Sequence, residues 1–212
     1  MTSRNDSART DLAPWVIEEA SFLAAAKTVA ELPPEAGVEL AFAGRSNVGK
    51  SSLMNLLLGR RKLVRTSSTP GCTRQLAFFQ ARARDGAAFV LVDLPGYGYA
   101  ARSKSERVAW ARLLEEYLVS RSALRAVVVL IDARHGVTAT DQQLLEFLAE
   151  RPRSKPRIIV VATKADKLPK SRQRSELDKL ARSTDRELIP ASALTGQGAE
   201  AIWRALRAAV SG

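Results

Sequence analysis

Cysteine is almost missing from this chain: its 212 residues hold one, Cys72. A lone thiol excludes an internal disulfide and a cysteine-rich metal site, and no base partner is evident that would make it a nucleophile. Histidine is equally scarce, His135 being the single one. Set between Arg134 and Gly136, it reads as part of a surface turn or a partner contact rather than as a general base. No apolar run approaches the roughly 20 residues of a membrane span. The first fifteen residues lack the apolar stretch of a secretory signal, so a cytoplasmic protein with no membrane span is expected. Acidic residues are outnumbered, 22 against 33 Lys and Arg, giving a formal net charge of +11. Such an excess draws polyanions through counterion release. The cations also bunch, at Arg60, Arg61, Lys62 and Arg65; at Arg151, Arg153, Lys155 and Arg157; and at Lys164, Lys167, Lys170, Arg172 and Arg174. Nucleic acid, or something made of it, is therefore an expected partner.

What remains is ordinary globular material, 46% hydrophobic and 26% charged, of a length that suits one α/β domain. Residues 1–20 are assigned to a flexible N-terminal segment, the first dozen being polar and aperiodic, and residues 21–212 to the domain. Phe22, Leu23, Ala26 and Val29 recur at helical spacing before Pro33-Pro34. Apolar or β-branched runs predict strands over 38–43, 76–83, 88–93, 126–132, 158–163 and 187–191. Asp85-Gly86 between the second and third predicts an antiparallel hairpin. Helices are predicted over 51–58, 104–119, 140–149, 171–183 and 198–210. Together they give a three-layer α/β fold with a mostly parallel six-stranded sheet and one antiparallel edge strand. Trp15, Trp110 and Trp203 read as packing or anchor residues.

Directly after the first predicted strand stand Gly44, Arg45, Ser46, Asn47, Val48, Gly49, Lys50, Ser51 and Ser52. Gly, four residues, then Gly-Lys-Ser is the spacing in which backbone N–H groups curl around a phosphate. Lys50 then reaches the β/γ-phosphates and the Ser51 hydroxyl ligates Mg²⁺. Asp93, Leu94, Pro95 and Gly96 follow the third strand, where a carboxylate can support Mg²⁺ through water and the Gly96 N–H can sense a γ-phosphate. In the loop Thr69-Pro70-Gly71-Cys72-Thr73-Arg74, one threonine can close on Mg²⁺ and the γ-phosphate; Thr73 is preferred and Thr69 stays open. Lys50 and Thr73 are the candidate catalytic residues. Thr163, Lys164, Ala165 and Asp166 end the fifth strand. The Asp166 carboxylate can accept from guanine N1–H and its exocyclic amine, whereas adenine would leave it unpaired. Lys164 can lay its stem over the base. Ala191, Ser192 and Ala193 end the last strand, where a backbone N–H would meet guanine O6.

These five segments occur in the order and spacing of the guanine-nucleotide motifs of small GTPases. With DLPGYGYA from Asp93, TKADK from Thr163 and Asp132-Ala133-Arg134-His135, the chain resembles the EngB (YihA/YsxC) family of bacterial GTPases, among the TrmE/Era-like translation-factor-related GTPases. The resemblance spans residue 20 onward. It implies a P-loop G domain that binds GTP or GDP with Mg²⁺ and acts in assembly of the large ribosomal subunit, contacting its RNA and proteins; a monomer is expected. Family members are also linked to cell division and septum formation. Two departures bear on chemistry. Thr163 replaces the usual Asn that bridges base and phosphate loop. Tyr97 stands where many GTPases carry the Gln that orients the attacking water, so slow turnover is expected. Asn47 resembles the asparagine that holds K⁺ in potassium-stimulated relatives, which makes K⁺ a candidate activating cation. A different class remains open, an RNA-binding assembly module whose nucleotide pocket is mainly structural. An ATPase or small-molecule kinase conflicts with Asp166 and lacks a lid insertion.

Overall fold

The computed structural model describes residues 16–64, 75–97, 104–150 and 154–211. Twelve regular elements follow in the order β1 (Ile17–Ala26), β2 (Val38–Gly44), α1 (Lys50–Leu57), β3 (Leu76–Ala83), β4 (Ala88–Asp93), α2 (Lys104–Ser120), β5 (Leu124–Asp132), α3 (Ala139–Glu150), β6 (Arg157–Thr163), α4 (Lys170–Thr184), β7 (Leu188–Pro190) and α5 (Ala199–Ser211). They build one sheet in the order β1-β3-β4-β2-β5-β6-β7.

The central strands are apolar along nearly their whole length because both faces are covered. In β5, residues 126–130 are each fully buried. One face packs Leu40, Phe42 and Leu130 against α1 and α5 through Leu53, Met54 and Trp203. The opposite face packs Ala41, Phe78 and Val129 against α2, α3 and α4 through Leu113, Tyr117, Leu145 and Leu180. Trp203 is a packing residue as read from the sequence: its ring lies 5.6 Å from that of Phe89, and its Nε1–H donates to Leu57 O at 3.2 Å. The side chains of Trp15 and Trp110 lie outside the described residues.

The α/β class and the hairpin hold. Gly86 takes φ +86°, and β3 runs antiparallel to β4 from Ala77–Asp93 to Arg82–Ala88. The strand count and the first element are corrected. The sheet has seven strands, and the segment with helical spacing is β1, paired antiparallel to β3 from Ile17–Ala83 to Ala26–Leu76. Glu, Ala and Leu favour a helix locally. The open edge of β3 offers a ladder of hydrogen bonds, and Phe22 meets Phe79 edge-on at 5.8 Å, so tertiary pairing overrides propensity. This strand also takes in residues 17–20, assigned from sequence to the N-terminal segment. The antiparallel strand β3 is accordingly second from the edge rather than at it.

Chain order reverses around β2, which is parallel to β4 on one side and to β5 on the other. That is the topological switch point of an open α/β sheet, where ligands bind beyond the carboxyl ends of the strands. Gly44, Asp93, Asp132 and Thr163 all terminate parallel strands on that edge.

Candidate nucleotide site

The loop from Gly44 to Gly49 is shaped by three backbone constraints. A Cβ on Gly44 would lie 2.8 Å from Val48 Cγ1 and 3.1 Å from Leu130 O, so only glycine fits where β2 enters the loop. Asn47 (φ 64°) and Gly49 (φ 101°) are left-handed, and α1 starts at once after Gly49. Left-handed residues before a helix N-terminus turn N–H groups inward, which makes an anion cradle. Lys50 and Ser51 open α1, with Ser52 beside them exposed.

The Lys50 ammonium pairs with the Asp93 carboxylate. The two residues are 8% and 3% exposed, so the first lysine of α1 and the acid of the DLPG segment meet in a buried position. Beyond Asp93, the Leu94 N–H donates to Phe42 O at 3.0 Å. Tyr97 then rejoins the loop, its N–H donating to Gly44 O and its carbonyl accepting from the Ser46 N–H, both at 3.3 Å. Gly96 lies so close to Ser46 that a Cβ would be 3.0 Å from Ser46 Oγ and 3.1 Å from Ser46 Cα. The Tyr97 hydroxyl turns away to donate to Asp141 Oδ1 at 2.8 Å. Burial first, and then the Asp141 charge, push that phenol far above its ordinary value, so it stays protonated.

At the other end, the Thr163 hydroxyl donates to Val48 O at 2.7 Å. It thus makes the bridge to the phosphate loop that Asn usually provides. Lys164 (φ 57°) sends its ammonium to Asn47 O at 2.6 Å and to Asp132 Oδ2 at 3.0 Å, with its stem over Gly49. Ala165 N–H donates to Ala191 O at 3.1 Å, and Ala191 N–H to Ala162 O at 2.8 Å, which locks the two base-side segments together. Fully buried Ser192 accepts from the N–H groups of Leu194 and Thr195 at 3.2 Å. Its hydroxyl hydrogen bond is the chief reason the Asp166 carboxyl sits below the usual range. Between these segments lies a cavity of about 310 Å³ lined by Gly49, Ser52, Thr163, Lys164, Asp166 and Ala193 among others. An acceptor at one end and a lysine stem along the side suit a planar heterocycle with N–H donors.

Sequence reasoning passed over two residues. Asp132, within the Asp132–His135 stretch that carries the family resemblance, holds Lys164 and is gripped by Arg134 through Nε at 2.9 Å and the second guanidinium nitrogen at 2.7 Å. Burial opposes its charge, but the hydrogen bonds from Arg134 and Lys164 outweigh that and keep its carboxyl well below the carboxylate range. Its place at a strand end on the switch-point edge was a usable signal. Asp141 carried no signal beyond an acid in a helix first turn. His135 is exposed, as a surface turn requires. Gly71, Cys72, Thr73 and Thr69 lie outside the described residues.

Residues 39–164 match the family described as 50S ribosome-binding GTPase. The probable GTP-binding protein EngB of Anaeromyxobacter dehalogenans (strain 2CP-C) is 43% identical over 203 residues, covering 92% of this chain and 93% of the relative. The chain belongs to the EngB family of GTP-binding proteins. A crystal structure of a probable GTP-binding protein EngB superimposes with TM-score 0.63 at 23% identity, over 82% of this chain and 99% of that one. Era in complex with MgGDPNP and nucleotides 1506–1542 of 16S ribosomal RNA gives 0.65 at 25% identity, over 80% of this chain and 55% of Era. The EngB chain is thus a P-loop GTPase domain, and none of its described helices is long and apolar enough to cross a membrane.

Proposed function

We propose that this EngB protein is a cytoplasmic, monomeric guanine-nucleotide switch with slow intrinsic GTP hydrolysis, acting in assembly of the large ribosomal subunit. The observation that carries the reading is the seating of Gly96 on Ser46. A γ-phosphate entering the loop must realign the DLPG segment, so nucleotide state becomes a backbone displacement. Residues 44–52 hold the phosphates, Asp166 reads guanine with Ser192 steadying it, and Ala191 and Ala193 frame the base. Ser51 and Thr73, the latter outside the described residues, would hold Mg²⁺ and Asp93 would support it through water; hydroxyl and carboxylate oxygens are the donors that this hard cation prefers. The ion supplies charge stabilisation to the phosphates. With the Tyr97 hydroxyl held by Asp141, the side chain at the usual Gln position is not free to orient water, which supports slow turnover. Asn47, held left-handed in the loop, is the candidate K⁺ ligand; equal turnover in K⁺ and Na⁺ removes that role.

The ribosomal partner is supported by the family description, by the net charge of +11, and by Lys170, Arg172, Arg174, Lys179 and Arg182, all exposed on α4. Roles in cell division and septation rest on the family resemblance alone. Pelleting with large ribosomal subunits, loaded with GDP or with a non-hydrolysable GTP analogue, tests the switch. Different occupancies support it, whereas equal occupancies favour an assembly module whose pocket is structural.

A further inference from the structure

We propose that the hydrogen bond from Tyr97 to Asp141 is a latch against triphosphate, so that these two residues set the discrimination between GTP and GDP. The proposal rests on the guanine-nucleotide reading of the site and not on ribosomal docking. The acceptor is rigid. Asp141 is 1% exposed, and while Oδ1 takes the Tyr97 hydroxyl at 2.8 Å, Oδ2 accepts from Thr138 N–H at 2.9 Å and Thr138 Oγ1 at 2.7 Å. The carboxylate is thereby fixed to the first turn of α3, and a phenol bound to it is held by a charge-assisted bond.

The backbone of the same tyrosine is joined to the phosphate loop. Its carbonyl takes the Ser46 N–H and its own N–H is spent on Gly44 O. Gly96, the residue whose N–H would meet a γ-phosphate, lies close on Ser46, where an added Cβ would stand only 3.0 Å from Ser46 Oγ and 3.1 Å from its Cα. In this arrangement the loop's outer donor is satisfied internally and the DLPG segment lies closed upon it. The Tyr97–Asp141 bond makes no contact with the backbone N–H groups at the start of α1, where a diphosphate's charge would be held, although Lys50 there pairs with Asp93. The latched state therefore accommodates GDP and competes with GTP. Tyr97 stands at the position of the usual water-orienting Gln, and its side chain serves conformational selection instead.

Tyr97→Phe removes only the hydroxyl, and Asp141→Asn keeps the acceptor's shape while weakening the bond. Wild type and both variants are titrated by calorimetry with GDP and with GDPNP in Mg²⁺, with thermal unfolding recorded alongside. The affinity ratio of GDPNP to GDP is expected to rise about tenfold in Tyr97→Phe, as loss of one hydrogen bond to a buried charge dictates, while GDP affinity changes by less than about twofold. Asp141→Asn moves the ratio the same way, and should it fail to fold, Tyr97→Phe alone decides. A ratio that is unchanged or falls overturns the latch. A wild type that binds neither nucleotide overturns instead the guanine reading beneath it.

Discussion

Asp166 and Asp132 line neighbouring pockets that share Lys164, and substitution separates their work. Asp166→Asn replaces an acceptor with an amide that pairs with the 2-oxo group of xanthine. GTP affinity should fall by about 10- to 100-fold, the value of hydrogen bonds to a charged group, with xanthosine triphosphate gaining, as competition titration will read. Asp132→Asn loosens Lys164 without touching the base acceptor, so guanine nucleotides should weaken by a few-fold to about tenfold with no gain for xanthine. The lowered Asp132 carboxyl adds a pH signature. Its folded value lies below the unfolded one near 3.9, so its charge contributes stability above that pH and loses it only as pH falls further. The difference in unfolding temperature between wild type and Asp132→Asn should therefore stay constant from about pH 8 to 5; a difference that shrinks between 7 and 5 contradicts the assignment. Asp166 is legible in the sequence as a candidate because few side chains can accept from two guanine N–H groups at once, and it lines the cavity beside Lys164. Asp132 and Asp141 were not legible, since their partners lie across the fold and a lone acid has no periodicity.

Elements fixed by local chemistry are legible in the sequence, whereas β1, fixed by tertiary pairing, is not. The loop and α1 follow from glycine spacing, and the β3–β4 hairpin from Asp-Gly, because both are fixed by nearby backbone chemistry. β1 carries Glu, Ala and Leu that fit a helix, and only the vacant edge of β3 makes it a strand. A second interaction invisible in sequence ties β2 to the end of α2. Arg121 grips Glu39 through Nε at 3.0 Å and a terminal nitrogen at 2.6 Å, with side chains 8% and 2% exposed. The guanidinium also lies 5.8 Å above the Phe78 ring. Arg121→Ala should cost about 3–5 kcal/mol because it strands a buried carboxylate, and thermal unfolding will show it. Arg121→Ala with Glu39→Gln should recover part of that loss, and no recovery would mean that packing, not charge, dominates.

For the whole molecule, the switch point at β2 gathers loops that are distant in sequence onto one edge of the sheet. The exposed cations of α4, and Arg61, Lys62, Lys155 and Arg157, lie outside the nucleotide pocket. Charge at that scale was legible from composition, but which face meets RNA depends on how the helices are arranged. We propose that nucleotide state controls docking on the large subunit through such a basic surface. The most direct test is the binding constant for large ribosomal subunits measured over a salt series with GDP and with GDPNP. The account predicts tighter binding with GDPNP by about tenfold at each salt and a steep fall of log affinity with log salt in both states. Coincident curves, or a flat salt dependence, would contradict it.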